Sequence, residues 1–165
     1  MQGETKEQIA IALGANLGAK RETFEKALTY IDAEIGRVVA RSSWIETSPL
    51  LHPTAPTHGQ DTYLNGVILA ETSLEAEATL SKLLEIEEKL GRNRDKEELP
   101  WSPRVIDLDL VFYGSKIIEQ THLVVPHSQM HLRAFVLGPL LEIAPDWIHP
   151  RLKKSTKELF EVLRE

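Results

Sequence analysis

The sequence contains no cysteine, although it is 165 residues long. A chain without cysteine can form neither a disulfide framework nor a zinc site built on thiolates. The absence of cysteine suits the reducing environment of a cytosol, and it excludes the class of small disulfide-stapled secreted domains.

Positive charge is also in short supply. The chain has 19 Lys and Arg against 25 Asp and Glu, which gives a formal net charge of −6. A protein that binds nucleic acid nonspecifically depends on clustered Lys and Arg that meet the phosphates. We therefore expect no nucleic-acid partner, although this balance is compatible with a local basic site.

No apolar run approaches the roughly 20 residues needed to span a bilayer, and the start MQGETKEQ is too polar for a signal peptide. We therefore expect a cytoplasmic protein with no membrane partner. With 42% hydrophobic and 27% charged residues, the chain is long enough for one domain with a proper core and too short for two. We predict a single domain over residues 1–165, and a monomer is the expected state.

The spacing of apolar residues predicts alternating strands and helices. Phe24, Leu28 and Ile31 recur at helical spacing, which predicts a helix over residues 20–35. Thr72 and Glu75 have the spacing of a capping box, which predicts a second helix that ends at Gly91. The remaining predicted elements are strands at 8–14, 37–47, 63–72, 104–114 and 116–118, and a last helix around 132–143.

This order of elements is that of the ferredoxin-like split βαβ arrangement in the α+β class. We predict a mainly antiparallel sheet with helices packed on one of its faces. Residues 48–61 contain three prolines and cannot belong to a regular element. Long loops of this kind within small domains are usually functional or disordered.

The segment RVIDLDLVFYG, residues 104–114, carries two carboxylates in a strand-like pattern. Successive side chains of a strand point to opposite faces, so Asp107 and Asp109 share one face. The apolar residues predicted on the other face are Ile106, Leu108, Leu110 and Phe112. Acids two positions apart, with Cα atoms roughly 7 Å apart, can reach one hard cation or a pair of such ions. The alternative is a solvated sheet face with two incidental acids.

Arginines flank this segment on both sides. Arg104 enters the strand directly, and Arg92 and Arg94 follow the predicted helix end at Gly91. Guanidinium groups are suited to clamping phosphate, and the alternative is a favourable interaction with the helix dipole. An acid pair beside three arginines matches a site for a metal-bound polyphosphate.

Glu87 falls within the apolar arc of its predicted helix, where an unpaired carboxylate would be costly. We expect it to pair with an arginine of the following loop and to act by positioning; the alternative is a helix end that opens onto a site. Tyr63 and Asn65 share one strand face, where an aromatic ring and an amide can hold a flat heterocycle. The alternative there is an ordinary cross-strand contact and a surface amide. His127 and the turn GANLG (residues 14–18) are weak signals by themselves.

Taken together, these residues make the chain similar to the 6-hydroxymethyl-7,8-dihydropterin pyrophosphokinase family. The most specific matches are PRVIDLDLVFYG, VPH and RAFVL, and IALGANLG, YLNGVILAET and IEEKLGRNR agree in order. The resemblance implies transfer of the terminal diphosphate of ATP to the hydroxymethyl group of 6-hydroxymethyl-7,8-dihydropterin, a step of folate biosynthesis. Direct in-line transfer, without a covalent enzyme intermediate, is the expected mechanism.

The resemblance also implies a role for particular residues. Asp107 and Asp109 would bind two Mg²⁺ ions, and Arg92 and Arg104 would complete the catalytic set. The implied ATP-binding residues are Glu87, Arg94, Trp101, Leu110, His127, Ser128 and Arg133. The implied pterin-binding residues are Thr47, Leu50, Tyr63, Asn65, Trp101 and Phe135. Residues 48–61 and 92–103 would form active-site loops that close over the site and exclude water.

Three positions depart from the family: Ser128 stands where members often have Tyr or Pro, His122 where some have Arg, and Leu84 where some have Gln. In the family these positions lie around the nucleotide. Two other classes of function remain as alternatives: a Mg²⁺-dependent phosphohydrolase, which the acid pair alone would permit, and a ferredoxin-like module that binds a ligand without chemistry.

Overall fold

The computed structural model describes residues 5–47, 62–93 and 104–164. Nine strands and four α-helices lie within these ranges. The strands are β1 (Glu7–Ala15), β2 (Gly36–Arg41), β3 (Ile45–Thr47), β4 (Tyr63–Thr72), β5 (Asp107–Tyr113), β6 (Ile118–Glu119), β7 (Val124–Val125), β8 (Ile148–His149) and β9 (Lys154–Ser155). The helices are α1 (Lys20–Glu34), α2 (Ala76–Lys89), α3 (Ala134–Ile143) and α4 (Thr156–Arg164).

The main sheet has the strand order β2-β4-β1-β5, with β3 paired to the other end of β4, and all its pairs are antiparallel. Helix α1 connects β1 to β2, which run in the same direction with β4 between them. Helix α2 connects β4 to β5 in the same way around β1. These two interlocked split βαβ units confirm the predicted ferredoxin-like α+β fold.

The helices cover both faces of the sheet, whereas the sequence predicted one covered face. Phe24 and Ile31 of α1 pack with Leu83 and Ile86 of α2 in one core cluster. Leu137 of α3 lies in a second cluster, on the opposite face, together with residues of β1, β4 and α4. The C-terminal residues therefore complete the fold as a second layer.

A β-bulge changes which side chains of β5 share a face. The pairing of β1 with β5 shifts register between Ala10 and Ile11, so that Val111 is an extra residue on β5. Strict alternation placed Phe112 with Leu108 and Leu110, and this prediction is wrong. Phe112 belongs to the second cluster, where its ring stacks on Trp147 at a centroid distance of 4.9 Å.

Two boundaries also differ from those predicted. The predicted strand 37–47 is two strands, β2 and β3, and Trp44 between them lies directly over Gly66 of β4, where a Cβ atom would come within 2.2 Å of the indole ring. Helix α2 begins at Ala76, because the Thr72 hydroxyl donates to the carbonyl of Ile35 instead of capping the helix. Within the described ranges, no helix is both long and apolar enough to cross a membrane.

Candidate active site

A cleft of about 250 Å³ opens at the β5 entry, between the strands and the start of α3. It is lined by residues from five separate parts of the chain, among them the end of β3 and the start of β4. Eight predicted site residues line it together: Thr47, Tyr63, Asn65, Arg104, Asp107, Asp109, Arg133 and Phe135. The fold thus brings members of both predicted sets, phosphate-binding and pterin-binding, around a single space.

The floor of the cleft is formed by small residues of β1 that the sequence did not single out. Gly14 is paired with Asn65 of β4 on one side and with Asp107 of β5 on the other, while Ala12 is paired with Asp109. A Cβ atom on Gly14 would lie 3.6 Å from the Asn65 amide oxygen. Because Gly14 has no side chain and Ala12 has only a methyl group, the space between the amide and the carboxylates stays open. Only the strand pairing reveals this role.

Asp107 and Asp109 lie in the same cleft, as the alternation of the strand predicted. Burial raises the pKa of Asp109 to about 7, and the negative charges of Asp107 and Glu87 add to this effect. Arg133 and Arg92 act in the opposite direction and lower it. The charged form of Asp109 is therefore disfavoured in the metal-free site, and a cation bound beside it would favour that form.

Asp109→Asn is expected to stabilise the metal-free protein by about 2 kcal/mol at about pH 8, and to have little effect near pH 4. The folded pKa of about 7 lies above the ordinary value of 3.8, so the folded protein binds the proton more tightly than the unfolded chain. Stability is therefore lost as the pH rises from about 4 to about 7. Urea unfolding across this range measures the effect, and the exposed Asp146→Asn is the control. Parallel profiles of unfolding free energy against pH for Asp109→Asn and the unsubstituted protein would contradict the raised pKa of Asp109.

Behind Asp107, Arg92 and Glu87 form a buried ion pair. Both side chains are almost fully buried, and Nη1 of Arg92 lies 3.2 Å from Glu87 Oε2. The same nitrogen donates to Asp107 Oδ1 at 2.9 Å and to the carbonyl of Ile106 at 3.3 Å. Glu87 Oε2 also accepts the Leu108 N–H at 2.7 Å. The predicted pairing of Glu87 with an arginine of the following loop is confirmed.

The other end of the cleft carries an oriented amide and two aromatic rings. Nδ2 of Asn65 donates to the Thr47 hydroxyl at 2.9 Å, which fixes the orientation of the amide and leaves its oxygen on the Gly14 side. Tyr63 and Phe135 line the same space. The Arg133 guanidinium lies over the Phe135 ring, 5.7 Å from its centroid, so the basic and aromatic parts of the site are in contact.

His127 and Ser128 lie beside the cleft, outside its lining. Nδ1 of His127 accepts the N–H of Gln129 at 3.1 Å, so the proton of the neutral ring resides on Nε2. Burial, followed by the positive charge of Arg133, lowers the pKa of His127, whereas Asp107 raises it. A neutral imidazole that donates from Nε2 is the form available near neutral pH. Ser128 is exposed.

The remaining four residues named by the resemblance are Leu110, whose side chain is not part of the cleft lining, and three that lie outside the described residues. Leu110 is 5% exposed and its side chain lies in the core between the sheet and helices α1 and α2, so any contact with a nucleotide would fall to its main chain. Leu50, Arg94 and Trp101 lie outside the described residues, as do most of the two predicted active-site loops. The departing residues Leu84 and His122 are exposed.

Comparison with known proteins assigns the chain to a family. The family model described as 7,8-dihydro-6-hydroxymethylpterin-pyrophosphokinase (HPPK) matches residues 10–145. The chain is 40% identical over 152 residues to the 2-amino-4-hydroxy-6-hydroxymethyldihydropteridine pyrophosphokinase of Synechocystis sp., covering 92% of this chain and 73% of that protein. It is 38% identical over 148 residues to the protein of the same name from Haemophilus influenzae, covering 89% and 88%.

Some relatives are longer proteins. The chain is 36% identical over 155 residues to the folic acid synthesis protein fol1 of Pneumocystis carinii, and spans 20% of its length. Among solved structures, wild-type HPPK-DHPS of Plasmodium falciparum superposes with a TM-score of 0.72 at 13% identity, covering 98% of this chain and 45% of that one. That likeness shows the fold, and this chain spans less than half of that solved chain. Because the family model covers most of its length, the chain belongs to the 7,8-dihydro-6-hydroxymethylpterin-pyrophosphokinase family.

Proposed function

We propose that this chain transfers the terminal diphosphate of ATP to the hydroxymethyl group of 6-hydroxymethyl-7,8-dihydropterin, giving AMP and the pterin diphosphate in folate biosynthesis. The observation that carries the proposal is a single cleft with a carboxylate pair and two arginines at one end and an oriented amide with two aromatic rings at the other. These are the groups needed to hold a metal-bound polyphosphate against a flat heterocycle. We further propose that residues 1–165 act as one catalytic domain and as a monomer.

At the heterocycle end, Asn65 would present its amide oxygen to an N–H of the pterin, because its Nδ2 is engaged by Thr47. Tyr63 and Phe135 would hold the ring by stacking, in which offset or edge-on contacts are favourable. Leu50 and Trp101 are assigned to the same pocket by the family resemblance alone. The short residues Gly14 and Ala12 leave a path for the hydroxymethyl group toward the carboxylates.

At the phosphate end, the donor set fits Mg²⁺. In the described parts of the chain no group of three or more His, Asp or Glu side chains could hold a metal ion. Mg²⁺ is commonly bound through one or two carboxylates, with substrate phosphates and water as its other ligands. Asp107 and Asp109 would hold the metal, two ions by the family resemblance, and bound Mg²⁺ would supply charge neutralisation on the polyphosphate.

The arginines have distinct positions that suggest distinct roles. Arg104 and Arg133 line the cleft and would contact phosphate oxygens directly. Nη1 of Arg92 is engaged by Asp107, Glu87 and Ile106, so this nitrogen orients the carboxylate, and contact with phosphate would fall to its other nitrogens. His127 would donate from Nε2, and Arg94 is assigned to ATP by the resemblance.

The transfer itself would be direct. The hydroxymethyl oxygen would form a bond to the β-phosphorus of ATP and release its proton to solvent, while the bond from that phosphorus to the α,β-bridging oxygen breaks and AMP leaves with that oxygen. Such transfers depend mainly on alignment and on stabilisation of charge. The cleft supplies both, and no covalent enzyme intermediate is needed.

Incubation with ATP, Mg²⁺ and 6-hydroxymethyl-7,8-dihydropterin tests the proposal. We expect stoichiometric AMP and pterin diphosphate, with no AMP when the pterin is omitted. Release of inorganic phosphate without a pterin would instead indicate a phosphohydrolase. Ligand binding that is independent of Mg²⁺, without any AMP, would indicate a binding module.

Arg104→Ala is expected to lower kcat by about 100-fold while weakening ATP binding by about tenfold or less. The reason is that a guanidinium in the cleft acts mainly on charge that develops during transfer. Single-turnover AMP formation and calorimetric titration of a nonhydrolysable ATP analogue separate the two effects. Arg37→Ala, which removes an exposed arginine of a surface ion pair, is the matched control. An Arg104 variant with unchanged kcat would remove this role.

A further inference from the structure

The segment GANLG, residues 14–18, contains the last two residues of β1 and the turn after them, and it is hydrogen-bonded to the residues that precede the aspartate strand. Asn16 in this turn is 2% exposed. Its side-chain oxygen Oδ1 accepts the main-chain N–H of Arg104 at 2.7 Å. Its own N–H donates to the Arg104 carbonyl at 2.9 Å, and the N–H of Leu17 donates to the same carbonyl at 3.1 Å. Both main-chain polar groups of Arg104 are thus held by one turn, 88 residues away in sequence.

These bonds begin where the regular pairing ends. The last paired residues of β1 and β5 are Gly14 and Asp107, so Arg104 lies three positions before the ladder. Beyond that point, the amide oxygen of Asn16 replaces a strand carbonyl as the acceptor for Arg104. The N–H of Arg104 is therefore held by a side chain and its carbonyl by the main chain of the turn, whereas the main chain of Asp107 is held by the sheet.

A second feature indicates that this asparagine is not present for stability alone. Its Nδ2 is buried and, among the described residues, makes no hydrogen bond. A buried N–H without a partner lowers stability. Asn16 therefore gains one hydrogen bond, which its Oδ1 accepts, and loses stability through its Nδ2, which is unpaired within the described ranges. Such a combination is often found in residues under functional constraint.

We propose that Asn16 is a positioning residue for Arg104, holding its main chain so that the guanidinium reaches the phosphate end of the cleft. The inference rests on the proposed function, since it assigns Arg104 to phosphate transfer. A small displacement of a group that must meet the transition state costs rate far more than it costs affinity. We therefore expect loss of the Asn16 contact to lower kcat more than substrate affinity, because Asn16 positions Arg104 and does not itself contact the substrate.

A double-mutant cycle on the full chain tests this role. Asn16→Ala is expected to lower kcat by about 100-fold and to change ATP-analogue affinity by about threefold or less. The hydrogen bond from the Arg104 N–H to Asn16 Oδ1 is called the clamp below. The double variant Asn16→Ala/Arg104→Ala is expected to be no slower than Arg104→Ala alone, because the clamp acts only through Arg104. Losses of kcat that multiply would overturn the proposal, since they indicate a general effect on structure.

Two further variants separate positioning from folding. Asn16→Asp keeps an oxygen at the Oδ1 position and should keep kcat within about fivefold, whereas a loss equal to that of Asn16→Ala would overturn the clamp. Leu17→Ala alters an exposed side chain of the same turn, leaves its main-chain bond intact, and should leave kcat unchanged. If Asn16→Ala fails to fold, as judged by near-UV circular dichroism, the cycle is run with Asn16→Ser, whose hydroxyl is too short to reach.

Amide exchange distinguishes failure of the clamp from failure of the proposed function. Exchange of the Arg104 N–H is expected to accelerate about tenfold or more in Asn16→Ala, with or without activity. Normal transfer by Arg104→Ala would refute the role of Arg104 and leave the exchange result intact. Unchanged exchange at Arg104 would refute the clamp itself.

Discussion

Asp107→Asn and Asp109→Asn are each expected to lower the rate of AMP formation by about 1,000-fold, equivalent to about 4 kcal/mol of transition-state stabilisation. Each substitution preserves the shape of the side chain and removes one negative charge from the site that would hold Mg²⁺. The two carboxylates share one cleft with Arg104 and Arg133, so the lost charge lies close to the proposed phosphates. Single-turnover formation of AMP over a range of Mg²⁺ concentrations measures the effect.

The matched control is Asp146→Asn, which removes the same charge from an exposed position and should leave the rate unchanged. Extra Mg²⁺ should recover part of the rate if the substitution weakens metal binding, since the remaining carboxylate still supplies one ligand. Rates within about threefold of the unsubstituted protein would show that this carboxylate pair does not hold the catalytic metal. If Asp109→Asn loses activity and also gains metal-free stability at high pH, then Asp109 serves function at the expense of stability.

The site was predictable from sequence to the extent that local periodicity determines it. Asp107 and Asp109 come to one face because they precede the β-bulge, where the period of two still holds. Phe112 lies beyond the bulge, and its face depends on pairing with β1, which no local pattern encodes. The roles of Gly14 and Ala12 likewise arise only from their register with β4 and β5.

The second helical layer could have been anticipated from one signal. Residues 67–70 of β4 form the uninterrupted apolar run VILA, and in the structure Leu64–Ala70 are all buried, so both faces of that strand are covered. A nearly continuous apolar run is typical of strands buried on both sides. The position of α3, which carries Phe135 into the cleft and has Arg133 at its N-cap, follows from that second layer. The face of the sheet against which α3 packs is determined by long-range contacts. For this reason the sequence predicted helices on one face only.

The buried pair of Glu87 and Arg92 was predictable from the sequence only in part. The helical wheel places Glu87 on the apolar face, and pairing follows because an isolated buried carboxylate is too costly. The sequence did not reveal that the same arginine also holds Asp107, so that the pair connects the end of α2 to the metal-binding strand. A residue that secures the fold here also orients a proposed metal ligand.

Glu87→Ala is expected to lower the free energy of unfolding by about 4 kcal/mol, because it removes a charged partner from buried Arg92 and an acceptor from the Leu108 N–H. Urea unfolding measures this loss, and Glu88→Ala, at the exposed neighbouring position, should change stability by about 0.5 kcal/mol or less. Replacing both charges in Glu87→Leu/Arg92→Leu should recover much of the stability, since paired apolar residues can replace a buried ion pair. The recovered protein should still form AMP slowly, because Asp107 has lost the Nη1 bond that orients it. Full activity in that double variant would show that the pair serves the fold alone.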